Sequence, residues 1–252
     1  MGKIILVTGA TSGFGKAIAE KFASAGYDVI ISGRRKDRLE KLSNELKDKF
    51  GADSFQMEMD VQDREGVAKA VANLPTKWKS IDLLVNNAGL ALGRDYFDEA
   101  SLNDWDTMID TNLKGLLYVT KAVIPFMINA GAGQIINIGS TAGKEVYEKG
   151  NVYCATKHAV DAISKAMRID LLRHGIKVTA LHPGAADTEF SRVRFKGDEE
   201  TAAKVYEGYQ ALVAEDIADI CYYCATLPAH VCINDLVVTC TAQANSFLTF
   251  KG

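Results

Sequence analysis

Lys3-Ile4-Ile5-Leu6-Val7-Thr8-Gly9-Ala10-Thr11-Ser12-Gly13-Phe14-Gly15 is an apolar run that breaks into three glycines, and residues 16–24 then follow helical spacing. The order predicted is strand, glycine turn, helix. Glycine permits a tight turn and a close backbone approach, and the free amides that open the following helix attract a phosphate. The spacing is G-x-x-x-G-x-G rather than the commoner G-x-G-x-x-G of dinucleotide folds. A plain strand-to-helix turn is the bland alternative, but glycines at all three places point to a phosphate-binding loop.

Outward from that loop the alternation repeats. Apolar or alternating runs at 27–32, 54–59, 81–85, 133–139, 176–182 and 236–240 read as further strands, and helical periodicity fills 37–49, 64–74, 104–130, 152–173 and 216–227. Seven strands alternating with helices predict an α/β fold of Rossmann type. It is a doubly wound seven-stranded parallel sheet, a single domain over 1–252, with its ligand at the carboxyl ends of the strands. Residues 185–210 are of mixed polarity and are expected to form a flap.

Composition narrows the function. The chain has 252 residues, 48% hydrophobic and 24% charged, with a formal net charge of -3, which gives no electrostatic footprint for nucleic acid or an anionic membrane. No run of a signal peptide's kind opens the chain, and no segment is expected to approach a membrane span, so a cytoplasmic protein is expected. The five cysteines are odd in number and scattered, unlike a disulfide framework. Cys221 and Cys224 form C-x-x-C, but within an apolar helical pattern and with no second ligand pair. They are expected to be core thiols, and no metal is expected.

The strand ends carry the candidate site. The second strand runs into Gly33-Arg34-Arg35, where a ribose 2′-hydroxyl would want an acid and a 2′-phosphate an arginine, so the residues favour NADP(H). Asp60, followed by Val61, could accept a bond from an adenine amino group or cap a helix. Asn87-Ala88-Gly89 suits either a backbone pressed against a ligand or a simple turn. Ser101-x-x-Asp104 looks like a capping box. The polar patch around Asn112, with Gly115, suggests a kink.

Tyr153 and Lys157 stand four apart on the helix predicted at 152–173, and so share a face. A free tyrosine ionises near ~10, and a nearby ammonium is expected to lower that value and ready the phenol for acid and base work. A surface Tyr and Lys on an ordinary helix is the alternative reading of the pair alone.

Together, Thr8-Gly9-x-x-x-Gly13-x-Gly15, Asp60, Asn87-Ala88-Gly89, Asn112, Ser140, Tyr153-x-x-x-Lys157 and Pro183-Gly184 closely resemble the short-chain dehydrogenase/reductase family. The resemblance implies a catalytic set of Asn112, Ser140, Tyr153 and Lys157, with Tyr153 as acid/base, Ser140 on the substrate oxygen and Asn112 anchoring a relay water. It implies cofactor contacts from Gly9, Ala10, Thr11, Ser12, Gly13, Phe14, Gly15, Arg34, Arg35, Asp60, Val61, Asn87, Ala88, Gly89, Tyr153, Lys157, Pro183, Gly184, Ala185 and Thr188. Residues 139–143, 151–153, 193–198 and 227–231 are similar to the NADP-dependent 3-hydroxy acid dehydrogenase branch, whose members are cytoplasmic homotetramers acting on serine, allo-threonine and 3-hydroxypropionate. The more charged segment with Lys144, Glu145, Glu148 and Lys149 departs from that branch. Independently, Arg192, Arg194 and Lys196 in the flap could pair a substrate carboxylate, Arg194 first among them, or be solvated charges. Two other functions fit the same motifs: a reductase of ketoacyl thioesters, sugars or xenobiotic carbonyls, and a non-catalytic NADP(H) sensor.

Overall fold

In the computed structural model, which describes residues 2–251, the apolar runs become strands β1 (Ile4–Val7), β2 (Asp28–Gly33), β3 (Ser54–Glu58), β4 (Ile81–Asn86), β5 (Gly133–Ile138), β6 (Ile176–Pro183) and β7 (Asp235–Val238). They form one parallel sheet in the order β3-β2-β1-β4-β5-β6-β7. The reversal of strand order between β1 and β4 makes the crevice where ligands bind in such sheets.

Successive side chains on a strand point to opposite faces, and both faces are apolar here. Ile5, Val7, Val29, Ile31 and Val85 join helices α1 (Gly13–Ser24), α2 (Lys36–Phe50) and α9 (Ala214–Thr226) in one core. Ile4, Leu6, Ile30, Leu84 and Ile135 join α3 (Arg64–Ala72) and α5 (Leu116–Ala130) in the other. A central strand buried on both faces reads as a continuous apolar run, which is why β1 and β4 were legible. Cys221 and Cys224 sit in the first core, and burial pushes both thiols above the ordinary range.

Three expectations need correction. Ser101 precedes α4 (Leu102–Ile109) but makes no side-chain cap, and the Asp104 carboxylate pairs with Lys196 at 2.8 Å. The predicted helix 104–130 is α4, a π-helical segment Asp110–Gly115, and α5. An inserted π turn of this kind is frequent at functional sites. Third, Leu102–Ala130 is a 29-residue helical stretch with a window of mean hydropathy 1.2, long and apolar enough by composition to span a membrane, so the expectation that no segment approaches a span fails. Its place is that of a core helix, with Val119, Val123 and Met127 fully buried on the sheet.

The remaining helices position the site. Helix α6 (Asn151–Leu171) follows a short 3-10 turn, Thr141–Gly143, at the end of β5. After β6 the chain forms α7 (Glu189–Arg194) and α8 (Glu199–Lys204) within the expected flap.

Candidate active site

A cleft opens at the carboxyl ends of β1, β2 and β4, walled by the glycine loop, by α6 and by α7. Gly9 has φ +65°, a backbone that side chains rarely adopt. Gly15 is glycine for another reason: a Cβ there would overlap the Gly9 carbonyl and lie 2.5 Å from Asn87 Nδ2. Asn87 Nδ2 donates to the Thr8 carbonyl at 2.8 Å, and Thr8 Oγ1 accepts from the amides of Asn87 and Ala88, each at 3.0 Å. The Asn87 side chain is thus spent on holding the loop. Gly9, Thr11, Ser12, Gly13 and Phe14 face the cleft, as do Asn87, Ala88 and Gly89, whereas Ala10 and Gly15 lie behind it.

Arg34, Arg35, Asp60 and Val61 line the far end, with Met59. Asp63, not Asp60, caps α3, accepting from the amides of Glu65 and Gly66. Asp60 instead accepts from the Gln62 amide at 3.0 Å and stands 3.7 Å from Arg34. Arg35 Nη2 reaches the hydroxyls of Thr11 (2.8 Å) and Ser12 (3.2 Å), so it joins β2 to the glycine loop. Sequence reasoning missed Glu189, which accepts two bonds from Arg38 Nη1 at 3.0 and 3.1 Å and lies 3.8 Å from Arg35. No spacing in the chain links residues so far apart.

Tyr153 and Lys157 are both buried on α6 and both face the cleft. Their relation differs from the expectation. The Lys157 ammonium donates to the Ile138 carbonyl at 2.9 Å and lies 6.0 Å from the centre of the Tyr153 ring. Burial pushes the Tyr153 phenol well above the usual tyrosine range; Tyr147 adds to this, while the Ser140 hydroxyl and Arg194 pull the other way. Burial likewise lowers Lys157 to about 8. Desolvation disfavours the charged form of each, and that outweighs the expected lowering of the phenol by Lys157.

Ser140 caps the Thr141–Gly143 turn, its Oγ accepting from the Ala142 amide at 3.1 Å. Asn112 lies in the π-helical segment. Its Oδ1 accepts from the Leu90 amide at 2.8 Å, and its Nδ2 donates to the Leu90 carbonyl (2.8 Å) and to Thr156 Oγ1 (3.1 Å). That side chain binds the loop after β4 to α6, and both of its N–H donors are used in doing so.

Arg194 closes the site from α7. Its guanidinium lies 5.5 Å from the Tyr153 ring centre and 5.6 Å from that of Tyr147, with Nε 3.4 Å from the Gly93 carbonyl. Its Nη2 is buried with no partner among the described residues. A buried donor without an acceptor is costly, and here the guanidinium lies beside the Tyr153 ring. Arg192 and Lys196, in contrast, pair with Glu199 and Asp104. Phe190 packs on Tyr153 at 5.7 Å and, like Tyr147, went unnoticed because an aromatic in a polar stretch carries no spacing signal.

Thr188 lines the cleft and caps α7. Pro183, Gly184 and Ala185, expected at the cofactor, are not among the residues that wall this cleft, and neither are Ser140 and Arg194. The Ala185 amide donates to Gln243 Oε1 at 2.8 Å, and a Cβ on Gly184 would overlap that same oxygen.

Known proteins agree with this architecture. The family profile described as short chain dehydrogenase matches residues 3–199. The NADP-dependent 3-hydroxy acid dehydrogenase YdfG of Salmonella typhi is 50% identical over 242 residues, covering 96% of each chain. Sulfoacetaldehyde reductase 2 of Chromohalobacter salexigens is 45% identical over 97% of this chain and 96% of its own. The closed form of a serine dehydrogenase complexed with NADP+ superposes with a TM-score of 0.92 at 47% identity, covering 99% of both chains. With the glycine loop, the Ser140–Tyr153–Lys157 face and these matches in agreement, the chain belongs to the short-chain dehydrogenase family.

Proposed function

We propose that this enzyme is an NADP(H)-dependent dehydrogenase that interconverts a short 3-hydroxy acid, of the serine, allo-threonine or 3-hydroxypropionate type, and its 3-oxo acid. The acid class rests on one observation: the buried, unpartnered Nη2 of Arg194 beside Tyr153. A guanidinium recognises a carboxylate through two parallel bonds. The names of the relatives above support both the substrate class and the cofactor.

The residues present fit NADP(H). The loop from Gly9 to Gly15 is shaped by glycines that a Cβ would spoil, and Arg34 and Arg35 stand where a 2′-phosphate would be met. The bound cofactor would supply or accept the hydride. The chain's own residues do the rest. Ser140 and Tyr153 would hold the substrate oxygen, Tyr153 would give it a proton in reduction or take one in oxidation, and Lys157 would help hold the cofactor's ribose with the N–H bonds left free by Ile138. Helix α7 acts as a flap that excludes water and brings Arg194 to the carboxylate. An active site that reads an anion this way also suits a sulfonate, as the sulfoacetaldehyde reductase relative suggests.

From the likeness to the 3-hydroxy acid dehydrogenase branch, we extend the proposal to a cytoplasmic homotetramer. Ile169 (74% exposed) and Leu172 (75% exposed) leave an apolar edge at the end of α6 that supports self-association.

The test compares initial rates of NADP⁺ reduction with 3-hydroxypropionate, L-serine, a hydroxyalkyl sulfonate and a neutral alcohol, in wild type and Arg194→Ala. Loss of one charged hydrogen bond is worth about 10–100-fold, so kcat/KM should fall by that much on the acids and little on the neutral alcohol. Equal losses on both would remove the carboxylate assignment.

A further inference from the structure

A second group of titratable side chains lies behind the Ser140 turn, on the side away from the cleft. His182, fully buried at the end of β6, has Nδ1 3.2 Å from the Ser140 main-chain carbonyl. A carbonyl can only accept, so Nδ1 carries the proton and Nε2 the lone pair. The ring is wedged against the main chain: a Cβ on Gly139 would run into it. Beside it the Gly139 amide donates to the Leu181 carbonyl at 2.7 Å, so β5 and β6 remain paired right up to the catalytic serine.

The far side of the imidazole faces an ion cluster. Nε2 has no hydrogen-bond partner among the described residues, and it lies 3.6 Å from Asp161 Oδ1 and 3.8 Å from Asp235 Oδ1. These three residues bring ligand atoms within 4.8 Å of one another, a spacing that suits a metal ion. The positive charge there is already supplied, because Lys144 Nζ bonds Asp161 Oδ1 at 2.8 Å and Asp235 Oδ2 at 2.5 Å. Lys165 adds a second ammonium on Asp161 Oδ2 at 2.6 Å. Burial and Lys144 hold His182 below its usual pKa against the pull of the two carboxylates, which keeps the ring neutral and its tautomer fixed.

The placement of these residues matters more than their charge. Lys144 directly follows the Thr141–Gly143 turn that Ser140 caps. Asp161 lies on α6 one helical turn beyond Lys157, hence two beyond Tyr153. Asp235 begins β7. One cluster therefore ties together the two pieces of chain that carry the acid/base tyrosine and its hydroxyl partner. Of the charged segment that departs from the 3-hydroxy acid dehydrogenase branch, Lys144 thus points into this cluster, and Glu145 is bound to the Ser246 amide at 2.8 Å.

We propose that His182 and Lys144 are positioning residues for the reaction assigned above: His182 holds the Ser140 main chain through Nδ1, and Lys144 locks the exit of that turn to the helix carrying Tyr153 and Lys157. The inference rests on Tyr153 and Ser140 doing the chemistry, not on which alcohol is the substrate. Displacing a catalytic group by about 1 Å can cost ~10²-fold in rate, with no contact to cofactor or substrate lost.

The test uses the full-length enzyme with whichever alcohol the wild type oxidises fastest, so a wrong substrate class does not affect it. Asparagine places an amide N–H near the position of Nδ1; glutamine places it farther out, near Nε2. His182→Asn should keep kcat within about threefold of wild type, while His182→Gln falls roughly 10–100-fold, with NADPH affinity, read by fluorescence titration, unchanged in both. Lys144→Met, at a partly exposed residue whose loss the fold tolerates better, should lower kcat about 10-fold at unchanged NADPH affinity, and Lys144→Arg should restore most of it. Equal kcat for the Asn and Gln variants, or a Lys144→Met enzyme that melts lower but turns over normally per NADPH-binding site, would overturn the proposal.

Discussion

The Lys157 ammonium spends a hydrogen bond on the Ile138 carbonyl at 2.9 Å and lies 6.0 Å from the centre of the Tyr153 ring. Lysine and tyrosine therefore share the cleft with no hydrogen bond between them, and burial favours the protonated phenol over every charge near it. As the proposed acid/base, Tyr153 would hold its proton until negative charge develops on a substrate oxygen able to take it.

Replacing Tyr153 by Phe keeps the packing against Phe190 and removes only the proton. General acid/base catalysis contributes about 10²–10⁴-fold, so turnover should fall by that much while NADPH affinity changes little. Because the phenol is raised, alcohol oxidation, which needs the phenolate, should climb with pH from 7 to 10, whereas carbonyl reduction, which needs the phenol, should stay flat over 6 to 8. pH profiles of kcat/KM in both directions check this. A reduction limb that collapsed near pH 7 would show that the phenol is not raised.

Lys157 supplies a linkage prediction. Its folded pKa of about 8 lies below the ordinary lysine value of 10.5, so between those values the unfolded chain holds the extra proton. Stability then rises with pH wherever the unfolded state binds more protons. The cost of the buried ammonium is fully present below about pH 8 and relieved by 10.5. Compared with Lys157→Met, wild type should gain up to about 3 kcal/mol across that window. Denaturant melts of the two proteins at pH 7 and 10 provide the difference. The same substitution should lower both NADPH affinity and turnover at pH 7, where the ammonium is charged.

How far the chain announced this site depends on range. The glycine loop, the arginine pair after β2 and the four-residue step from Tyr153 to Lys157 are local patterns, and the fold places each where the pattern implied. The sign of the tyrosine shift was not readable, because spacing shows that two groups share a face but not how deeply they are buried or what else the ammonium binds. The Arg38–Glu189 pair joins residues 151 apart in the chain, and the Gln243 bond to the Ala185 amide spans 58. Pairings over such distances exist only once the sheet has assembled. At Ser101 the local capping pattern is present, yet the serine makes no cap and the Asp104 carboxylate pairs with Lys196 from the flap.

Arg34 and Arg35 are not equivalent. Arg34 is exposed and stands 3.7 Å from Asp60, whereas Arg35 is bonded to Thr11 and Ser12 of the glycine loop. Arg34→Ala should remove a phosphate contact alone, narrowing the NADPH over NADH preference about 10-fold. Arg35→Ala should narrow it and also weaken NADH, because the loop loses its tie to β2. Kd values for both cofactors separate the two roles. A preference unchanged in the double variant would place the 2′-phosphate away from these arginines.

Gly15→Ala sets two effects of known size against each other. Alanine in the first turn of α1 would gain up to about 1 kcal/mol in helix propensity. Against that, the new Cβ meets the Gly9 carbonyl and Asn87 Nδ2, and neither can retreat easily. Gly9 is fixed at positive φ, and Asn87 Nδ2 is bonded to the Thr8 and Gly9 carbonyls at 2.8 and 3.3 Å. Overpacking against fixed groups costs about 1–3 kcal/mol, so the clash wins. The variant should melt several degrees lower and bind NADPH at least ~10-fold more weakly, since relieving the overlap moves the loop whose amides would meet the phosphates. A thermal melt with and without NADPH checks both. A variant that melts higher and binds normally would mean that the loop yields without cost, and that Gly15 is there for neither close approach nor the cofactor.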